Sequence, residues 1–171
     1  MLSIPEMHPS GSHEWILPPS KSHIIRWLAM ISQGNSACLI KFNKSPGDDV
    51  KSMSKCLQEM GVKVETNNDG WLVEPPKQGL SVPKVELNCG NSGTSARVIS
   101  ALVATMGREV KLDGDESLRA RSSDLGKILR DLDVDVDNDS LPVIINGKMK
   151  GKARVNLSQS SQPLSALVLA S

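Results

Sequence analysis

Apolar positions along this chain fall into two rhythms, one helical and one alternating, and their order repeats. Val50, Met53, Leu57 and Met60 recur at helical spacing within 48–60, as do Leu125, Ile128, Leu129 and Leu132 within 124–132. Each helical run leads into a hairpin-like stretch. The first rises through Val62 and Val64, turns at 67–70 and returns through Trp71 to Val73. The second rises through Val134 and Val136, turns within 138–142 and returns through Val143 to Ile145.

A second pattern interleaves with the first. Three short strand-like pieces, 15–17, 85–87 and 155–157, each run through a loop of small or polar residues into an apolar helical stretch. Leu17, Leu87 and Leu157 mark an interval of 70 residues. The predicted unit is therefore strand, helix, strand, helix and two strands, present twice and begun a third time. The sequence stops at Ser171, inside the expected first helix of the third copy, so a truncated chain is expected.

Composition narrows the function. Among 171 residues, 20 Lys and Arg oppose 19 Asp and Glu, and there is one Phe and no Tyr. Such a chain has neither the basic excess nor the stacking aromatics of a nucleic-acid binder. Cys38, Cys56 and Cys89 are scattered and odd in number, and no His lies at zinc-site spacing from them. Reduced thiols, no structural metal, no membrane span and a cytoplasmic location are expected.

The chemistry resides in the loops between strand and helix, where free N–H groups and the positive end of the helix dipole favour an anion. The loop 18–23 adds Lys21 and Ser22, with Arg26 about one helical turn later. The loop 88–94 carries Gly90-Asn91-Ser92-Gly93, which lets a ligand approach the backbone but is neither a Walker loop nor a nucleophile elbow. The segment 114–121 supplies Arg119 and Arg121, and the loop 158–163 offers Ser160, Ser161 and Gln162 without charge. Each loop alone also reads as a solvated or helix-capping segment. The alternating Asp133, Asp135, Asp137 and Asp139 lack the glycine and terminal glutamate of a calcium loop. His23 beside Ser22 has no third partner for an activated serine.

Taken together, Leu17 to Arg26, Gly90 to Arg97, Gly114 to Arg121 and Ser160 to Gln162 occur in the order found in 5-enolpyruvylshikimate-3-phosphate synthases. Asp48-Asp49-Val50 resembles that family's second helix start. The resemblance runs from about Leu17 to Ser171. It implies an α/β (α+β) fold: an inside-out α/β barrel of β-α-β-α-β-β units about a pseudo-threefold axis, with two units and the start of a third present. Residues 16–171 would then be a truncated first domain. Residues 1–15 would be an N-terminal segment whose strand belongs to an absent second domain. It further implies that Lys21, Ser22 and Arg26 hold shikimate 3-phosphate, with Ser160, Ser161 and Gln162 completing that pocket. Lys21, Asn91, Gly93 and Arg121 would face phosphoenolpyruvate.

The reaction so implied transfers an enolpyruvyl group to the shikimate 5-hydroxyl and releases phosphate, with no cofactor. The catalytic carboxylates are expected in the second domain, which makes this chain a half-site with negligible turnover alone. Pro19 and Ser122 depart from the family's usual glycine and proline, which touches loop geometry but no charge. A UDP-N-acetylglucosamine enolpyruvyl transferase is the nearest catalytic rival, disfavoured because the loop reads Ser-Lys-Ser and Cys89 lies in the wrong segment. A non-catalytic phosphate-binding module is the alternative from another class.

Overall fold

The computed structural model describes residues 14, 16–67, 69–121, 125–158 and 160–171. Pro18 and Pro19 keep the chain extended up to Ser20, and helix α1 (Lys21–Ser32) begins immediately after. It buries Ile24, Ile25, Leu28 and Ala29 on one face. Strand β1 (Cys38–Lys41) follows, then α2 (Asp48–Glu59), whose first turn carries Asp48 and Asp49 where the helix dipole favours negative charge. Val50, Met53 and Leu57 form its buried stripe.

A hairpin of β2 (Lys63–Asn67) and β3 (Gly70–Glu74) closes the first unit. Strand β3 is central, pairing antiparallel with both β1 and β2. Gly70 has φ +150, and a Cβ there would lie 2.0 Å from the Ile40 carbonyl oxygen, so no other residue allows β1 to close on the turn. Asn68, part of the expected turn, lies outside the described residues.

The second unit runs β4 (Leu87–Asn88), α3 (Gly93–Val103), β5 (Val110–Asp113), the single-turn α4 (Glu116–Arg119), α5 (Leu125–Asp131), β6 (Asp135–Val136) and β7 (Val143–Asn146). Its sheet has the order β4-β5-β7-β6, with β4 parallel to β5 and the other pairs antiparallel. Stripped of β4, that order is the order of the first sheet. Helix α6 (Gln162–Ala170) then packs on α3 and reaches α1. Helix α3 is the hub of the core: Val98, Ile99, Ala101, Leu102 and Val103 are all buried.

Two expectations are corrected here. The barrel is absent: the two sheets are separate and open, and no strand of one pairs with a strand of the other. The reason is that helices occupy the space between them. Helices α1 and α2 lie against the first sheet, while α2 and α3 lie against β4 and β5 of the second. The opening strands expected at 15–17 and 155–157 are also missing among the described residues. Ile16, Leu17 and Leu157 are instead more than half exposed, and no strand among the described residues pairs with them. Residues 15 and 124, at the edge of two expected elements, lie outside the described residues. No helix among the described residues is long and apolar enough to cross a membrane.

Candidate functional site

Hydrogen bonds and ion pairs link the N-terminal ends of four helices into one chain of contacts. At the start of α1, Lys21 Nζ meets Asp49 Oδ2 of α2 at 2.5 Å. The Asp49 carbonyl accepts from Ser95 Oγ of α3 at 3.0 Å. Ser95 is in turn held by the α3 N-cap, since Ser92 Oγ donates to Ser95 Oγ at 2.8 Å and accepts from its amide. Arg97 Nη1 donates to the Gly93 carbonyl at 2.9 Å and to Gln162 Oε1 of α6 at 3.1 Å. Helix N-termini carry free N–H groups and partial positive charge, which favour an anion.

The other sequence candidates fall around this line. Arg26 Nη1 donates to the Ser22 carbonyl, four residues back, at 2.9 Å. Arg121 Nη2 donates to Asn91 Oδ1 and, at 3.1 Å, to Ser117 Oγ, which brings the segment 114–121 against the Gly90–Gly93 loop. Ser160 Oγ accepts from the Gln162 amide at 3.1 Å, whereas Ser161 occupies the N-cap position of α6 without a side-chain cap bond. Lys21, Asn91, Arg121 and Ser161 are exposed, while Ser22, Arg26, Gly93, Ser160 and Gln162 are half-buried. The structure thus joins Lys21 to the α2–α3 line and Gln162 to Arg97. It couples Arg121 to Asn91 and turns Arg26 back on its own helix.

Three contributors escaped the sequence reading as site residues: Asp49, Arg97 and Asp113. A signal for Arg97 existed. It sits four residues after Gly93 as Arg26 sits four after Ser22, and both guanidinium groups back-bond the carbonyl at that spacing. Asp113 gives no such periodic sign.

The decoys are accounted for by local contacts. His23 lies against Trp27, with ring centroids 5.9 Å apart. Asp137 Oδ1 accepts the Ile144 amide at 2.7 Å, and Asp139 pairs with Arg130, so both carboxylates serve the second hairpin. The hydrogen bond with Cys56 and burial hold the Cys89 thiol well above its usual range, which keeps it protonated and unsuited to act as a nucleophile.

Asp113 is the clearest electrostatic feature. Arg119 forks onto its carboxylate, and the Gly114 amide donates to Oδ1 at 2.7 Å. The hydrogen bonds from Arg119 chiefly, with the Gly114 amide and the guanidinium charge, pull its pKa below the ordinary 3.8 against the opposing effect of burial. A carboxyl depressed on folding adds stability above the unfolded value, and that stability is lost as pH falls through the folded one. Acid titration followed by circular dichroism is therefore expected to show wild type losing stability below about pH 4. Asp113→Asn should start less stable at neutral pH and lose less over the same interval.

Fold and loops together define an α/β domain in which hydrogen bonds and an ion pair tie together helix N-termini and a guanidinium group. The EPSP synthase (3-phosphoshikimate 1-carboxyvinyltransferase) family model matches residues 13–171, and the chain belongs to that family. It is 35% identical over 159 residues to the 3-phosphoshikimate 1-carboxyvinyltransferase of Thermococcus kodakarensis, covering 89% of this chain and 37% of that protein. It is 34% identical over 106 residues to that of Caldicellulosiruptor saccharolyticus, covering 59% of this chain and 24% of that one. Among solved structures, EPSP synthase from Acinetobacter baumannii superposes with a TM-score of 0.81 at 25% identity, over 91% of this chain and 37% of that one. The enolpyruvyl transferase NikO from Streptomyces tendae shares the fold, with a TM-score of 0.60 at 16% identity over 90% of this chain and 36% of that one. The chain thus spans between 24% and 37% of the length of these proteins.

Proposed function

We propose that this chain binds shikimate 3-phosphate and phosphoenolpyruvate and contributes half of the site that joins them. The observation that carries the reading is the chain of contacts from Lys21 through Asp49, Ser95, Ser92 and Gly93 to Gln162, which gathers helix N-termini of three repeats. Both ligands carry a phosphate and a carboxylate, so bringing them together needs opposing cations and aligned N–H groups. In this reading Lys21, Ser22 and Arg26 hold shikimate 3-phosphate, with Ser160, Ser161 and Gln162 around it. Asn91, Gly93 and Arg121 face phosphoenolpyruvate, and Lys21 reaches both.

The reaction is addition followed by elimination. The shikimate 5-hydroxyl attacks C2 of phosphoenolpyruvate while the methylene carbon takes a proton. Loss of phosphate and of that added proton's equivalent from the methyl group then restores the double bond. No covalent enzyme nucleophile is required. The groups that move protons are proposed to come from the portion of the longer family members with which this chain does not align. This chain alone is then expected to release negligible phosphate when given both substrates.

Calorimetric titration with shikimate 3-phosphate tests the reading, with a Kd of about 1 mM or tighter expected. Absence of saturable binding would refute it. Clear phosphate release by the chain alone would refute the half-site.

A further inference from the structure

Resting on that reading of the site, we propose that Asp113 and Arg119 are positioning residues for phosphoenolpyruvate, a clamp that sets Arg121 against Asn91. Asp113 ends β5, and its side chain is only 8% exposed. One carboxylate oxygen accepts Arg119 Nε at 2.8 Å and the Gly114 amide at 2.7 Å, and the other accepts Arg119 Nη2. This is the planar fork-on-carboxylate geometry that fixes direction as well as distance.

What the fork holds is α4, a helix of four residues. One turn of helix has almost no stability of its own, because nucleation fixes several dihedrals for a single hydrogen bond. Its orientation must come from outside. At its start Asp115 caps the Leu118 amide at 2.8 Å, and the Asp115 amide donates to the Gly90 carbonyl at 3.0 Å. Gly114 allows that approach, since a Cβ there would lie 2.8 Å from the Gly90 oxygen. Leu118, nearly buried, anchors the middle. The far end is tied by Arg119 alone among these contacts, two residues before Arg121. Glu86, paired with Lys111 at 2.5 Å, adds negative charge beside Arg119 that favours its charged form.

The clamp also selects between ligands. The segment it holds reaches the Gly90 loop through the Asp115 amide and, through Arg121, the group assigned to phosphoenolpyruvate, Asn91 of that loop. Among the contacts of the described residues, none runs from this segment to Lys21, Ser22 or Arg26 on α1. A residue that merely supports the fold would weaken both ligands together, whereas a clamp on Arg121 weakens one.

The test compares wild type, Asp113→Asn, Arg119→Met and the double variant by calorimetry. Each single variant should bind phosphoenolpyruvate about 10-fold more weakly in saturating shikimate 3-phosphate, while shikimate 3-phosphate itself stays within about 2-fold. The double variant should bind no more weakly than either single one. Equal loss of both ligands, no loss of either, or additive losses would overturn the proposal. A ligand-free readout separates it from the functional reading. The Arg121 Nε–Hε NMR resonance, identified through Arg121→Lys, should move in Asp113→Asn. If wild type binds neither ligand yet that resonance moves, the functional reading falls and the placement of Arg121 by the clamp stands. If the resonance is unmoved, the clamp falls.

Discussion

Lys21→Met is expected to weaken shikimate 3-phosphate binding by about 10- to 100-fold without disturbing the fold. A hydrogen bond from an ammonium to a charged acceptor contributes about 1.5–3 kcal/mol, and each 1.4 kcal/mol is a factor of ten in Kd. Lys21 is well exposed, so solvent screening holds the direct loss toward the lower end. A second effect adds to it: without the ammonium, the Asp49 carboxylate faces an incoming phosphate with no partner from α1. Lys21→Met/Asp49→Asn should therefore recover part of the lost affinity, as measured by calorimetry. The melting temperature should change little, because the Lys21–Asp49 pair lies near the surface and exposed pairs contribute about 0–1 kcal/mol. A double variant no better than Lys21→Met would argue against this electrostatic account.

The largest stability effect is expected at Leu102, fully buried in the last turn of α3. Truncating it to Ala removes a side chain enclosed by the core and leaves a cavity, at about 3–5 kcal/mol. Domains of ordinary size are stable by about 5–15 kcal/mol, so Leu102→Ala should lower the urea midpoint by a large fraction. Val168 of α6, 63% exposed, provides the contrast. Val168→Ala should shift the midpoint by no more than about 0.5 kcal/mol equivalent. Similar losses at the two positions would mean that α3 is not the centre of the core.

The helices and hairpins were legible because their signals are local. Val50, Met53 and Leu57 lie one helical turn apart, and Val64 and Val73 face each other across a turn that only Gly70 closes. Barrel closure was not legible, since it depends on which strands meet across the molecule rather than on any 70-residue pattern. The opening strands failed for the same reason. Leu87 and Asn88 form β4 because Leu112 and Asp113 pair with them, whereas 16–17 and 155–157 find no such neighbour among the described residues.

The site shows the same division. Lys21, Arg121 and Gln162 stood out by residue type within small-residue loops. Asp49 looked like a helix-start acid, and nothing in the sequence pairs it with a lysine 28 residues earlier. Asp113 and Arg119 meet only because β5 runs directly into a single-turn helix. Arg97 could have been found by superposing the repeats, where it falls 71 residues after Arg26, within one residue of the interval.

In the proposed function, shikimate 3-phosphate settles at the linked N-terminal ends of the helices. Titrating isotopically labelled protein with that ligand and following backbone amide NMR shifts tests it most directly. The account predicts saturable perturbations concentrated at Lys21, Ser22 and Arg26, at Gly93, and at Ser160 to Gln162. Perturbations confined to the β6–β7 hairpin, or none at all, would contradict it.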